Sequence, residues 1–222
     1  AIPWVRQVGD AAAPALHAIA GPDALIVRGV ALTPHGRAHR GRVSVAAGET
    51  ADLVATWNPS YLPTPAPLDV DAALERTRSW WTGFAASIDH DGPHRDEVVR
   101  SLLVLRALSH QDTGGIVAAV TTSLPEQIGG ERNWDYRYVW LRDAALTLEA
   151  LVAHGFLEVA EQWRSWLIRA IAGDPRQMQI MYGVAGERDL PERQLTSLPG
   201  YEGSAPVRVG NGAVNQYQAD VV

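Results

Sequence analysis

The residues best suited to chemistry lie in one run, from Arg132 to Asp143. This run holds four aromatic residues, three arginines and two carboxylates, and it comes directly before a helical pattern. A pyranose ring offers apolar C–H faces that pack on aromatic rings, and a rim of hydroxyls that favours charged, forked hydrogen-bond partners. The run supplies both, so it predicts a sugar-binding site. The alternative interpretation is an aromatic helix start with a surface Arg–Asp pair, because clustered polar groups mark functional sites only statistically.

Composition excludes several classes of protein and ligand. The net charge is −6 and no basic cluster occurs, which argues against a nucleic-acid groove or an anionic membrane surface as partner. The absence of cysteine excludes disulfides and Cys-ligated zinc, and the seven histidines lack paired spacing on a helix face, so we predict no metal site and no cofactor. No apolar run is long enough to span a membrane. We expect a cytoplasmic protein whose partner is a small saccharide, and leave its oligomeric state open.

The first sixty residues follow the period of β-strands. Val43 and Val45, and then alternate positions from Ala51 to Trp57, predict an antiparallel hairpin around a turn at 47–49, with residues 24–30 as a partner strand. Residues 58–67 contain four prolines, which disfavour a helix or a central strand and indicate an extended linker. We predict a β-domain at 1–60 and a linker at 61–70.

Beyond the linker, from residue 71 to 222, the apolar period changes to that of helices. Four amphipathic helices are predicted, with apolar stripes that include Trp81, Leu102, Leu148 and Trp166, and the third is expected to begin at Asp143 as its N-cap. Residues 173–212 are rich in glycine and proline and have no helical period. Because they also carry residues that favour burial, such as Met181 and Tyr182, we predict a structured pocket wall there.

Four motifs carry a resemblance to a known family. They read TTSLPE at 121–126, NWDYRYVWLRDA at 133–144, IMYGVAGER at 180–188 and GYEGSAPVRVGN at 200–211. Together they resemble glycoside hydrolase family 15, in its bacterial glucoamylase-like and trehalase-like branch.

The resemblance implies a mixed fold, namely the C-terminal part of a β-sandwich followed by the first part of an all-α (α/α)6 toroid. It also implies a closed pocket for the non-reducing glucose of an α-glucoside. By motif position, Tyr136 and Trp140 would pack on the glucose ring, and Arg142 and Asp143 would hold its outer hydroxyls. The wall on the leaving-group side would include Tyr201, Arg208 and Asn211.

Members of the family are inverting enzymes that use two glutamates, one as acid and one as base. The resemblance implies that both lie beyond Val222, so no residue of this chain is assigned as catalytic and the chain alone is expected to be inactive. Three hypotheses follow: an exo-acting α-glucoside hydrolase, a sugar-binding module without catalytic residues, or a structural helical array. For the hydrolase, trehalose is the favoured substrate, with malto- or isomalto-oligosaccharides, as for a glucoamylase, as the alternative.

Overall fold

The computed structural model describes residues 3–10, 13–36, 38–173 and 175–219. The chain divides into two compact units, Ala1–Trp80 and Trp81–Val222. The elements run in order from β-strands to helices, which confirms the predicted mixed fold class. The functional domain boundaries at residues 60 and 70 stay a prediction.

The first unit is built on an antiparallel sheet of four strands, in the spatial order β1-β2-β3-β6. A separate hairpin pairs β4 with β5. The strands are β1 (Trp4–Val8), β2 (Ala15–Ala20), β3 (Asp23–Arg28), β4 (Thr33–His35), β5 (Ala38–Arg40) and β6 (Val54–Pro59).

Strand β3 pairs with β6 in the register Ile26 to Thr56, so the predicted partnership of the two segments is confirmed. Pro59 ends β6 at the edge of the sheet, where a residue without an N–H is tolerated. Val43 and Val45 were expected in the same hairpin, but they lie outside the strands and are 53% and 55% exposed. That prediction is wrong because β6 takes its partner from β3 and needs no strand at 43–45.

The helices follow in four segments, α1 (Val70–Ala86), α2 (Arg95–Ala107), α3 (Leu141–Ala153) and α4 (Leu157–Ala170). The apolar stripes of α2, α3 and α4 follow the predicted period and bury a core in which Leu102, Leu151 and Trp166 are at most 2% exposed. Helix α1 has no buried residue and packs against this core through Phe84. Phe84 stacks on Phe156 with ring centroids 4.6 Å apart, which joins α1 to the start of α4. No helix in the described ranges has the length and apolar character of a membrane span.

Short pairings tie the remaining segments to this core. Strand β7 (Val139–Trp140) pairs with β8 (Met181–Tyr182), and β9 (Arg193–Gln194) pairs with β10 (Arg208–Val209). The indole N–H of Trp166 donates to the carbonyl of Val184 at 2.8 Å, and so anchors the glycine-rich segment to α4. The segment from 175 to 215 is therefore structured, as predicted, with three short 3-10 helices at Pro175–Gln177, Tyr201–Gly203 and Gly212–Asn215.

Candidate functional site

The aromatic run enters the core through β7 and continues without a break into α3. Trp140 is the N-cap residue of α3, and its side chain makes no capping hydrogen bond. The expectation that Asp143 caps the helix is therefore wrong: the β7–β8 pairing brings Leu141 into the first helical position, where its N–H donates to the Ile180 carbonyl at 3.1 Å. Asp143 lies instead in the first turn, where a negative charge interacts favourably with the helix dipole.

One cavity of about 380 Å³ opens beside the run. The structure brings three of the predicted site residues to its wall, Tyr136, Trp140 and Asn211. The other lining residues are Trp134, Glu192, Gly212, Ala213 and Gln216. The glycine-rich segment thus forms part of the wall, and the cavity combines aromatic surfaces with an amide and a carboxylate.

The two predicted ring-packing residues differ in exposure. Tyr136 is 40% exposed, so much of its ring is open to a ligand, whereas Trp140 is only 8% exposed. The indole N–H of Trp140 is buried and has no hydrogen-bond partner among the described residues. Buried polar groups are usually paired, so this donor is available to an acceptor that enters the cavity or to a water.

Asp135, behind the cavity wall, is fully buried and its carboxylate is well satisfied. Arg137 donates to both carboxylate oxygens at 2.9 Å, through Nε and Nη2. The backbone N–H of Gly210 donates to Oδ2 at 3.2 Å, and the Asn211 amide donates to the Asp135 carbonyl at 3.0 Å. Asp135 therefore joins the aromatic run to the segment that carries Asn211.

The ionisation of this cluster follows from its geometry. Burial by itself raises the pKa of Asp135, but the hydrogen bonds and charge of Arg137, with the Gly210 N–H, outweigh it and hold the pKa below the ordinary 3.8. The same ion pair raises the pKa of Arg137. Burial, assisted by the Asp135 carboxylate, raises the pKa of Tyr138. Asp135 is thus a permanent negative charge at neutral pH.

Asn211 is fixed by a second bond as well. Its side-chain oxygen accepts the N–H of Ala213 at 3.0 Å and caps the 3-10 helix Gly212–Asn215. With its amide on Asp135, both ends of the side chain are engaged, and the residue is 6% exposed. Asn211 therefore shapes the cavity wall more than it offers free donors to a ligand.

Glu192 is the carboxylate that lines the cavity. Its Oε1 accepts from Arg208 Nε at 3.2 Å and its Oε2 accepts from the backbone N–H of Gly212 at 3.3 Å. Arg208 lies 4.7 Å from the ring centroid of Trp134, in a cation–π contact, and its side chain is only 11% exposed. Arg208 thus lies behind Glu192 and contacts the cavity through it.

The structure does not bring the remaining predicted residues into the lining of this cavity. Arg142 is half-buried, donates to Gln218 Oε1 at 2.9 Å and lies 6.0 Å from the Trp140 ring centroid. Asp143 is half-buried in the first turn of α3. Tyr201 is 58% exposed in the 3-10 helix Tyr201–Gly203. The sugar-binding roles of these residues stay predictions.

Sequence reasoning missed Glu192, Trp134 and Gln216 as lining residues. Trp134 stood in the aromatic run and could have been included from its type alone. Glu192 carries no local signal, because its position depends on the β9–β10 pairing and on the bonds to Arg208 and Gly212. Gln216 is the C-cap residue of the 3-10 helix Gly212–Asn215, and no sequence pattern predicted that helix. Among the described residues, no group of three or more His, Asp or Glu side chains is arranged to hold a metal ion.

Comparison with known proteins decides the family. The model of glycosyl hydrolases family 15 matches residues 92–222, which is more than half of the chain and includes every residue of the cavity. The chain belongs to this family. The resemblance drawn from the four motifs is thereby confirmed.

Three curated relatives are similar over most of the chain. The trehalase of Mycolicibacterium smegmatis is 39% identical over 191 residues, which cover 84% of this chain and 28% of the relative. The trehalase of Mycobacterium tuberculosis is 37% identical over 191 residues, with the same shares of 84% and 28%. The trehalase of Thermoplasma volcanium is 43% identical over 147 residues, 66% of this chain and 23% of the relative.

The chain spans about 28% of the length of the first two of these relatives. No solved structure matches significantly.

Proposed function

We propose that the whole protein hydrolyses an α-glucoside with inversion and releases glucose, and that this chain supplies part of its glucose-binding pocket. One observation carries the proposal. Tyr136, Trp140 and Asn211, chosen from the family motifs, line one cavity of about 380 Å³ together with the carboxylate of Glu192. Aromatic surface beside charged acceptors is the combination that a pyranose requires.

The residues of this chain would act by binding and orienting the sugar. The exposed face of Tyr136 would pack on the ring, and Glu192 would accept hydroxyl hydrogen bonds. Holding the glucose in one orientation aligns its anomeric carbon for attack and so lowers the entropic part of the barrier. The acid and the base of an inverting reaction flank the bond on opposite sides, leaving room for a water, and no residue of this chain is proposed for either role.

We propose trehalose as the substrate. The support is that relatives 37–43% identical to this chain are named trehalases. The alternative is a malto- or isomalto-oligosaccharide, because one glucose-binding pocket can serve several α-glucosides that differ only in the leaving group.

The test is glucose release by the full-length protein from trehalose, maltose and isomaltose, each at the same concentration. We expect the highest kcat/KM on trehalose. A preference for maltose or isomaltose would overturn trehalose as the substrate, while the proposal of an α-glucoside hydrolase would stand. No glucose from any of the three, with trehalose binding detected by calorimetry, would overturn the hydrolase in favour of a sugar-binding module.

A further inference from the structure

We infer that Glu192 is a substrate-binding carboxylate that recognises two neighbouring sugar hydroxyls, and that Arg208 is the residue that positions it. The inference rests on the proposed function, because it names the group that selects the sugar in that same cavity. Neither residue is given a role in proton transfer.

Glu192 is held from two sides and still open to the cavity. Arg208 Nε donates to one carboxylate oxygen and the Gly212 N–H donates to the other, at 3.2 and 3.3 Å. The side chain remains 29% exposed. An ionised carboxylate can accept about four hydrogen bonds, roughly two at each oxygen, so one acceptor position on each oxygen is left for a ligand.

Two acceptor positions on one rigid group suit two adjacent hydroxyls of a pyranose. A carboxylate that was free to rotate would lose side-chain entropy on binding, whereas one fixed by Arg208 and Gly212 has already lost it. Charge-assisted bonds of this kind are also stronger than neutral ones. Glu192 is therefore suited to discriminate sugars by the hydroxyls that they present.

The Arg208 side chain is held in place by contacts within the protein. Its Nη1 donates to the carbonyls of Glu131 and Asn133, at 2.8 and 3.3 Å, and its face packs on Trp134. Trp134 is fixed in turn, because its indole N–H donates to Glu126 at 3.0 Å. This chain of contacts sets the position of Nε, and so of the Glu192 carboxylate.

The first test replaces Glu192 in the full-length protein by Glu192→Gln, with Glu149→Gln as the matched control. Glu149 is an exposed glutamate on α3 outside this chain of contacts, and no hydrogen bond of its side chain is found in the described residues. We expect Glu192→Gln to lower kcat/KM on trehalose roughly ten- to a hundredfold, because one charged acceptor is lost. The control should keep the wild-type value, and thermal unfolding should show that both variants are folded.

The decisive readout is a set of trehaloses in which the same hydroxyl is absent from both rings, because trehalose is symmetric and a singly modified analogue could bind through its unmodified ring. Wild type should lose activity on two analogues that lack adjacent hydroxyls, while Glu192→Gln should show little further loss on those two, because partners in one interaction are not additive. If Glu192→Gln lowers kcat/KM relative to wild type by the same factor on every analogue, the inference is overturned, because a purely structural role would give that result. Unchanged activity of Glu192→Gln would also overturn it.

Arg208→Lys tests the positioning role. Lysine keeps the charge but cannot reproduce the planar fork, so the carboxylate should loosen and KM should rise. If Arg208 acts through Glu192, the double variant should be little worse on trehalose than Glu192→Gln alone. Fully additive losses would show that Arg208 acts on the substrate by another route.

The outcomes separate the inference from the proposed function. Wild-type turnover of trehalose tests the function, and the variants test Glu192. If wild type prefers another α-glucoside, the variants are compared on that sugar with its own deoxy analogues. If wild type turns over none, trehalose binding by calorimetry replaces kcat/KM, and equal affinity of wild type and Glu192→Gln overturns the inference.

Discussion

Asp135 shows how a single residue can hold the site together without lining it. Its carboxylate is fully buried, yet a bidentate Arg137 and the Gly210 N–H satisfy both oxygens, while its carbonyl accepts the Asn211 amide. Removing one partner of a buried pair costs more than the pair contributes, because the other group is left unsatisfied. The Arg137 side chain is 44% exposed, so water can replace part of the hydrogen bonding that it loses when Asp135 is substituted.

Asp135→Asn should therefore destabilise the protein at pH 7, by about 1.5–3 kcal/mol. The folded-state pKa of Asp135 lies below its ordinary 3.8, so this stability is present above that value and is lost as the pH falls through the folded-state pKa. Urea unfolding followed by tryptophan fluorescence, at pH 7 and near pH 3, measures the free energy of unfolding of each protein. The difference in this free energy between wild type and Asp135→Asn should be smaller at the lower pH.

Asp189→Asn is the matched control for this experiment. Asp189 is exposed, and no side-chain hydrogen bond or ion pair is found for it in the described part of the chain. It should unfold like wild type at both pH values. A constant difference between wild type and Asp135→Asn across the pH range would contradict the assignment of an ionised, stabilising Asp135.

Substitution of Asp143 tests the sugar-binding role that the family motif implies for this residue. Asp143→Asn should lower kcat/KM of the full-length protein roughly ten- to a hundredfold, because a charge-assisted bond to the sugar costs about 1.5–3 kcal/mol when lost. Loss of its helix-dipole interaction should cost only about 0.3–1 kcal/mol of stability. Glu149→Gln, an exposed change on the same helix, serves as control. A lower melting temperature with unchanged kinetics would contradict the sugar-binding role.

Local periodicity in the sequence was enough to predict that the helices exist, but not to predict where they begin. The apolar stripes around Phe84, Leu102 and Trp166 follow from packing on one face, which is a local pattern. The start of α3 was predicted too late because Asp143 is a preferred N-cap type, whereas the β7–β8 pairing sets the true start. That pairing joins residues about forty positions apart, which no local rule detects.

The candidate site divides in the same way. Tyr136 and Trp140 could be predicted because their types, spacing and motif lie in one run. Glu192 could not, because its place in the wall depends on Arg208 and Gly212, which follow it by 16 and 20 positions. Residues that line a cavity from a loop are fixed by contacts between distant segments, and those contacts are absent from a local pattern.

Gly210 connects β10 to Asn211, so its backbone conformation sets the position of this part of the cavity wall. Its φ is +87°, and a Cβ there would lie 2.1 Å from the Pro191 carbonyl oxygen. Gly203 has a similar φ of +73° with open space around it, so Gly203→Ala measures the left-handed strain alone, about 1–2 kcal/mol. Gly210→Ala should cost clearly more in urea unfolding and should weaken trehalose binding.

Equal destabilisation by the two glycine substitutions would contradict this account of Gly210. It would mean that the segment 191–192 can move away from the added methyl group without cost. Unchanged trehalose affinity of Gly210→Ala would show that the wall at Asn211 does not depend on the backbone at 210.

At the scale of the whole molecule, binding of the sugar should stabilise the folded protein. A ligand that binds only the native state adds RT ln(1 + [L]/Kd), about 2.7 kcal/mol when its concentration is a hundred times Kd. The melting temperature of the full-length protein should therefore rise with trehalose concentration. Cellobiose, a disaccharide of the same size with a β-linkage, should give a smaller rise, and equal shifts would indicate an unspecific solute effect.

The most direct measurement is a crystal structure of the full-length protein with trehalose bound. The central claim is that the cavity beside residues 134–140 binds one glucose unit. We expect that unit to pack on Tyr136, with two adjacent hydroxyls on the Glu192 carboxylate. A sugar bound elsewhere, with this cavity holding only water, would contradict the claim.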